Sequence, residues 1–222
     1  MHENFLKLNS IKNNVNEIII KKQLKTNVNI IVVSKTFPLS NVLPLLNSGH
    51  MHFGENKIQE AEIKWQNKKK LYRNLKLHMV GKVQSNKAKK AVRLFDYIHS
   101  LDNKKLADKI YESEKEFNKK IKLFIQVNVG DENQKSGILI NDLKDFYNYC
   151  TKNLFLNIIG LMCIPPHNSD SEKYFKLLKK ANDELNLKEL SMGMSADYEK
   201  AILHGATYLR LGTAILGNRN IT

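Results

Sequence analysis

The sequence predicts an α/β protein: a single (β/α)8 barrel (a TIM barrel) over residues 1–222, preceded by an extra N-terminal helix. Three observations carry this expectation. Short apolar runs alternate with helix-period stretches around the whole chain, the pattern of repeated strand–helix units. Several of the runs are apolar on both faces, as parallel strands covered on each side must be. Glycine and polar residues gather just after the runs, where barrels of this kind carry their chemistry. An open doubly wound sheet is the runner-up, but it wants a glycine-rich phosphate loop after the first strand, and SKTFPLS has none.

The elements follow in order. Phe5, Leu8, Ile11, Val15, Ile18 and Ile19 recur every three or four residues, one face of an amphipathic first helix. Strands are expected at Val28–Ser34, His50–Phe53, Leu75–Val80, Tyr97–Ser100, Lys122–Val129, Asn157–Cys163, Leu190–Met192 and Tyr208–Leu211. Between them the spacing predicts helices at Ser40–Asn47, Lys57–Lys68, Ser85–Leu94, Asn103–Asn118, Leu139–Lys152, Ser171–Leu185 and Asp197–His204. Ala214-Ile215-Leu216 begins a short last helix. The prolines Pro38, Pro44, Pro165 and Pro166 mark loops or helix starts, and no linker or repeat divides the chain.

Composition excludes several classes. No run of eighteen apolar residues is present, so no membrane helix is expected. MHENFLKLNS lacks the basic cap and apolar core of a secretory signal. Cys150 and Cys163 have neither disulfide-framework nor zinc spacing, so a reducing cytoplasm and no metal site are expected. The net charge is +14, yet only Arg73, Arg93, Arg210 and Arg219 are arginine. Base readers depend on arginine and on interleaved aromatics. The clusters Lys68-Lys69-Lys70 and Lys87-Ala88-Lys89-Lys90 therefore read as solvated helix faces with no specific nucleic-acid role.

Chemistry begins at Lys35, which closes IIVVSK. Strand alternation puts Ile31, Val33 and Lys35 on one face. Facing a partly dry barrel interior, the amine would lose protonation and could attack an aldehyde. A lysine at a strand end ordinarily snorkels to water, so position alone distinguishes Lys35 only modestly. The segments SMGMSAD and YLRLGTAILG add a second element. Ser195 can cap the helix that follows, while Gly212 and Thr213 follow the last strand; loops after the last two strands form the usual phosphate site of this barrel. Arg210, two residues before Gly212, should face the interior and needs an acceptor there. A lysine imine, a phosphate cup and an arginine at the ring edge together describe pyridoxal 5′-phosphate (PLP).

The segments VVSKTFP, HFGENKIQE, LHMVGKVQSNKAK, KSGI, GLMCIPP and SMGMSADYEKAILHGATYLRLGTAILG cover essentially the whole chain. Through them the sequence resembles the pyridoxal-phosphate homeostasis proteins, the YggS/PROSC family. The resemblance implies a fold-type III PLP-binding barrel like the N-terminal domain of alanine racemase, with Lys35 as the Schiff-base lysine. It implies that Ser195, Gly212 and Thr213 hold the phosphate, and that Arg210 approaches the pyridine nitrogen. Asn56 would line the ring face or contact its 3-hydroxyl side, and Met194 would lie against the cofactor. His78, Gln84, Ser85 and Asn86 belong to a matched segment whose role is open between the surface and ligand exchange; Lys82 and Lys135 receive no role.

An arginine at the pyridine nitrogen opposes its protonation and weakens the ring as an electron sink. Racemisation also needs acid–base groups on both faces of the substrate carbon. In alanine racemases the second group comes from a β-rich domain, and only nine residues follow Thr213 here. The expectation is a monomeric, cytoplasmic PLP carrier in vitamin B6 homeostasis, without catalytic residues or efficient turnover. It would exchange cofactor with PLP-dependent apo-enzymes. The alternatives are a weak amino-acid racemase or other fold-type III catalyst, and a lysine-driven RNA binder.

Overall fold

Eight parallel strands pair in sequence order, and the last returns to the first, so the sheet closes into a barrel. This is a computed structural model; it describes residues 2–132, 134, 136–167 and 169–218. The first helix, α1 (Glu3–Lys21), buries Leu8, Ile11 and Val15, the stripe that its periodicity predicts. The strand–helix units follow as β1 (Asn29–Val33), α2 (Leu39–Asn47), β2 (His52–Glu55), α3 (Ile58–Leu71) and β3 (Lys76–Met79). Next come α4 (Ala88–Leu94), β4 (Tyr97–Leu101), α5 (Lys104–Phe117), β5 (Lys122–Gln126), α6 (Leu143–Asn148) and β6 (Ile158–Met162). The circuit ends with α7 (Ser171–Glu184), β7 (Glu189–Ser191), α8 (Tyr198–Leu203), β8 (Tyr208–Leu211) and α9 (Thr213–Leu216).

Local chemistry sets the boundaries. Asn103 caps α5 by accepting from the Leu106 amide at 2.9 Å, and Asn118 ends that helix in the left-handed region at φ 45°. Two expected helices are subdivided. A 3-10 turn at Ser85–Lys87 precedes α4, and α6 lies between a 3-10 turn at Ile140–Asp142 and a wide π turn at Tyr149–Asn153. The second strand lies two residues later than its apolar run suggests. The ladder continues through Gly54 and Glu55, which pair with His78 and Met79, because the Glu55 side chain finds buried partners. Gly160 of β6 allows β7 to close in: a Cβ there would stand 1.9 Å from the Glu189 carbonyl oxygen.

The apolar material forms two layers. The larger fills the space between sheet and helices, with Phe53, Trp65, Phe95 and Phe175 fully buried. The smaller lies inside the barrel and comprises Ile31, Val33, Tyr97, Phe124, Met162 and Tyr208. Buried His78, His99, Ser191 and Arg210 share that interior through ring stacking and hydrogen bonds. Cys150 and Cys163 are buried free thiols, each with its pKa pushed up to about 12 chiefly by burial. Among the described residues no helix is long and apolar enough to cross a membrane.

Candidate functional site

The parity of β1 sends Ile31 and Val33 into the barrel, and two residues on, Lys35 reaches its C-terminal mouth half-buried. There it lines a cavity of about 310 Å³ together with Val33, Val80, Ile164, Met194, Ser195, Ala196, Arg210, Gly212 and Thr213. Six of the seven residues expected at the site thus face one space. The seventh, Asn56, lines an adjoining polar cavity of about 440 Å³ that shares Lys35, Val80 and Ile164. Gln126, Asn128, Gln134 and Ser136 line it from the opposite side. The loop after β3 lies directly on Asn56, since a Cβ on Gly81 would fall 2.3 Å from the Asn56 carbonyl oxygen.

The turn carrying Lys35 is held by charges at its base. Glu55 Oε1 accepts from Ser34 Oγ at 2.6 Å, Lys64 Nζ at 2.8 Å and Trp65 Nε1 at 2.9 Å. Lys64 also donates to the Ser34 carbonyl at 2.8 Å and to Glu60 Oε1 at 3.1 Å. Glu60 in turn accepts from the Thr36 amide at 2.6 Å, and Thr36 sits at φ 68°. Hydrogen bonds at Ser34 and Thr36, to Glu55 of β2 and to Lys64 and Glu60 of α3, therefore bracket Lys35 on both sides. The sequence reading of the GEN motif missed this clamp. Glu55 adjoins Asn56 in that motif, but Lys64 stands nine residues away on a helix, and only folding shows that it points inward.

The loop after β7 positions the polar cup. Gly193 takes φ +89°, a conformation that side chains strain to adopt, and turns the chain across the mouth. Asp197 accepts from the Met194 amide at 2.7 Å and fixes the turn. The Ser195 hydroxyl leaves helix α8 alone, which corrects its expected capping role: Asp197 occupies that position instead. Ser195 Oγ accepts from the Gly212 amide at 3.3 Å and the Ala214 amide at 3.1 Å. Backbone N–H groups from the final loop thus converge on one oxygen.

Arg210 is 6% exposed and satisfies two of its donors inside the protein. Nη1 donates to Ser191 Oγ at 2.7 Å and Nη2 to the Cys163 carbonyl at 2.8 Å. The acceptor that its sequence position demanded is therefore mainly the protein itself. Burial lowers its pKa, and Cys163 and Asp197 partly offset this. His78 is fully buried, which removes the surface role from its alternatives. Gln84 and Asn86 are exposed, and Gln84, Ser85 and Asn86 do not line the mouth cavity. Lys82 is exposed at the polar cavity. Lys135 lies outside the described residues.

The sequence profile of the alanine racemase N-terminal domain matches residues 6–220. The chain is 35% identical over 209 residues to the pyridoxal phosphate homeostasis protein of Pasteurella multocida, with 90% of each chain covered. It is 38% identical over 195 residues to the protein of that name from Aquifex aeolicus, covering 84% of this chain and 85% of the relative. PipY of Synechococcus elongatus, solved with PLP bound, superposes with a TM-score of 0.80 at 34% identity, covering 91% of this chain and 100% of PipY. Alanine racemase of Clostridium difficile shares the fold alone: its TM-score is 0.74 at 15% identity over 98% of this chain and 57% of that enzyme.

Proposed function

The chain belongs to the alanine racemase N-terminal domain family and to the pyridoxal phosphate homeostasis proteins, and from that premise we propose that it binds pyridoxal 5′-phosphate through a Schiff base to Lys35 and serves intracellular homeostasis of that cofactor without efficient turnover. One observation carries the proposal: Lys35, Arg210 and the Ser195, Gly212 and Thr213 cup face a single cavity of about 310 Å³. That volume suits a small cofactor. The residues fit the group in two further respects. Asn56 Oδ1 is buried with no hydrogen-bond partner among the described residues, an acceptor that a ligand can satisfy. Ser195 Oγ sits where two amides converge, as an oxygen of an anion would.

When bound, the cofactor supplies an aldehyde for amines and a conjugated ring that accepts electrons. Lys35 holds the carbonyl end, and the Glu55–Lys64 clamp fixes its backbone. Ser195, Gly212 and Thr213 would hold the phosphate, Asn56 would line the ring, and Met194 would lie against the cofactor. Arg210 is a donor without acceptor capacity, so it favours an unprotonated ring nitrogen and a weak electron sink.

Weak turnover is also supported by the linings. Among the described residues the only proton carriers lining the two cavities are Lys35 and Lys82, with no His, Tyr, Asp or Glu beside them. Tyr198 is engaged elsewhere, its hydroxyl accepting a 2.7 Å bond from Asn14 Nδ2, while Tyr208 packs in the barrel interior. Residues 1–222 act on this proposal as one monomeric unit in the cytoplasm, releasing cofactor to apo-enzymes through the mouth.

The test is borohydride reduction of the PLP-treated protein followed by peptide mass spectrometry. The expected result is a yellow protein with its adduct on Lys35, and a colourless Lys35→Ala variant. An adduct spread over other lysines with Lys35 unmodified overturns the assignment. Robust PLP-dependent racemisation of an amino acid, abolished by Lys35→Ala, overturns the reading of weak turnover.

A further inference from the structure

The barrel interior contains an unbroken line of hydrogen bonds. His52 Nδ1 lies 2.9 Å from His78 Nε2, and His78 Nδ1 lies 3.0 Å from His99 Nε2. His99 Nδ1 lies 2.8 Å from Ser191 Oγ, which accepts from Arg210 Nη1 at 2.7 Å. The line starts at the basal end of the barrel, where His52 opens β2 and helps line a cavity of about 280 Å³ with Lys12, Asn16, Asn29 and His50. It ends at Arg210, which lines the mouth cavity on the other side.

A neutral imidazole has one donor and one acceptor, so the polarity of each link dictates the next. Arginine accepts no hydrogen bond and keeps its protons, which makes Arg210 the fixed donor. Ser191 Oγ has two partners, Arg210 and His99. Having accepted from Arg210, its hydrogen finds an acceptor only in His99 Nδ1. The opposite polarity would leave that buried hydrogen unpaired, at about 1–3 kcal/mol. His99 therefore carries its proton on Nε2 and donates to His78 Nδ1. His78 does the same toward His52 Nδ1, and the outer donor is His52 Nε2–H.

Neutral rings are required, and burial supplies them. It lowers the pKa of His78 and His99 well below the ordinary value, with His99 and Arg210 charges acting second, and it lowers that of His52 in the same direction.

We infer that His52, His78, His99 and Ser191 are positioning residues forming one tautomer-locked relay, which aims the Arg210 guanidinium at the mouth cavity and ties its posture to the basal cavity. No proton crosses the barrel; each bond polarises its neighbour. The tautomers are a property of the protein alone, whereas an effect on a bound ring rests on the cofactor reading above.

The test is long-range proton–nitrogen NMR on the ¹⁵N-labelled full-length protein at neutral pH, without added cofactor. The expected result is a single Nε2–H tautomer for His52, His78 and His99. Ser191→Ala should mix the tautomers of His99 and also shift the ring nitrogens of His52, three bonds along the line. Should that variant fold poorly, His52→Gln at the half-buried basal end should shift the Arg210 side-chain nitrogens. An Nδ1–H tautomer at His99 in the unaltered protein overturns the relay. So does a His52 ring unmoved by Ser191→Ala, or an Arg210 side chain unmoved by His52→Gln. Loss of the borohydride adduct at Lys35 would instead remove the cofactor reading and leave these signatures intact.

Discussion

Lys64 Nζ lies 2.8 Å from Glu55 Oε1 beneath the turn that carries Lys35, with the two side chains 6% and 0% exposed. Two charges so far from water persist through the partners gathered on Lys64 Nζ and Glu55 Oε1, while Glu55 Oε2 has no hydrogen-bond partner among the described residues. Glu55 Oε1 takes three donors, and Lys64 reaches three oxygens. The turn containing Lys35 is thus set by an ion pair that contributes nothing directly to the cavity.

Lys64→Met should strand the Glu55 carboxylate in the core and destabilise the fold by about 3–5 kcal/mol. Replacing both partners, Lys64→Met with Glu55→Leu, should recover much of that loss. Urea denaturation of the two variants decides the matter. A double variant no more stable than the single would show that the pair itself, rather than the unpaired charge, carries the stability.

Acid should weaken the fold through its buried histidines. Burial, with Lys12 second, lowers the pKa of His50 from 6.5 to about 4. Above pH 6.5 both folded and unfolded forms are neutral and this residue has no effect. As pH falls toward 4, the unfolded chain binds a proton that the folded chain refuses, so stability declines. The shift corresponds to about 3 kcal/mol from this group by pH 4. His52, His78 and His99 are shifted in the same direction. Denaturant midpoints measured from pH 7 to 4.5 should fall steadily; a flat profile would contradict buried neutral imidazoles.

Ser195→Ala should remove the oxygen on which the Gly212 and Ala214 amides converge. One lost hydrogen bond to a phosphate corresponds to roughly a tenfold weaker affinity for PLP. Ser85→Ala, on the 3-10 turn outside the mouth cavity, should bind like the unaltered protein. Equilibrium dialysis with both variants is the measurement, and equal affinities would remove Ser195 from the cup.

Gly160→Ala should be among the most damaging small changes. Its methyl would meet the Glu189 carbonyl oxygen at 1.9 Å, so β6 and β7 must separate. A loss of about 3 kcal/mol is expected, lowering Tm by roughly 6–12 °C for a chain of this size. Calorimetry checks it, and an unchanged Tm would mean that the strand pair yields freely.

The strand–helix alternation, the N-terminal helix and the placement of Lys35, Ser195, Arg210, Gly212 and Thr213 after or within successive strands were legible in the sequence. Each rests on short-range periodicity, which the backbone imposes wherever one face is buried. Tertiary structure alone decided the partners. His99 meets Ser191 across 92 positions and His78 across 21, and Glu55 is joined to Ser34 across 21. Strands apolar on both faces show alternation without showing which face turns inward. Barrel closure chooses that face, and with it decides that three histidines and one arginine share an interior that the linear sequence presents as separate strands.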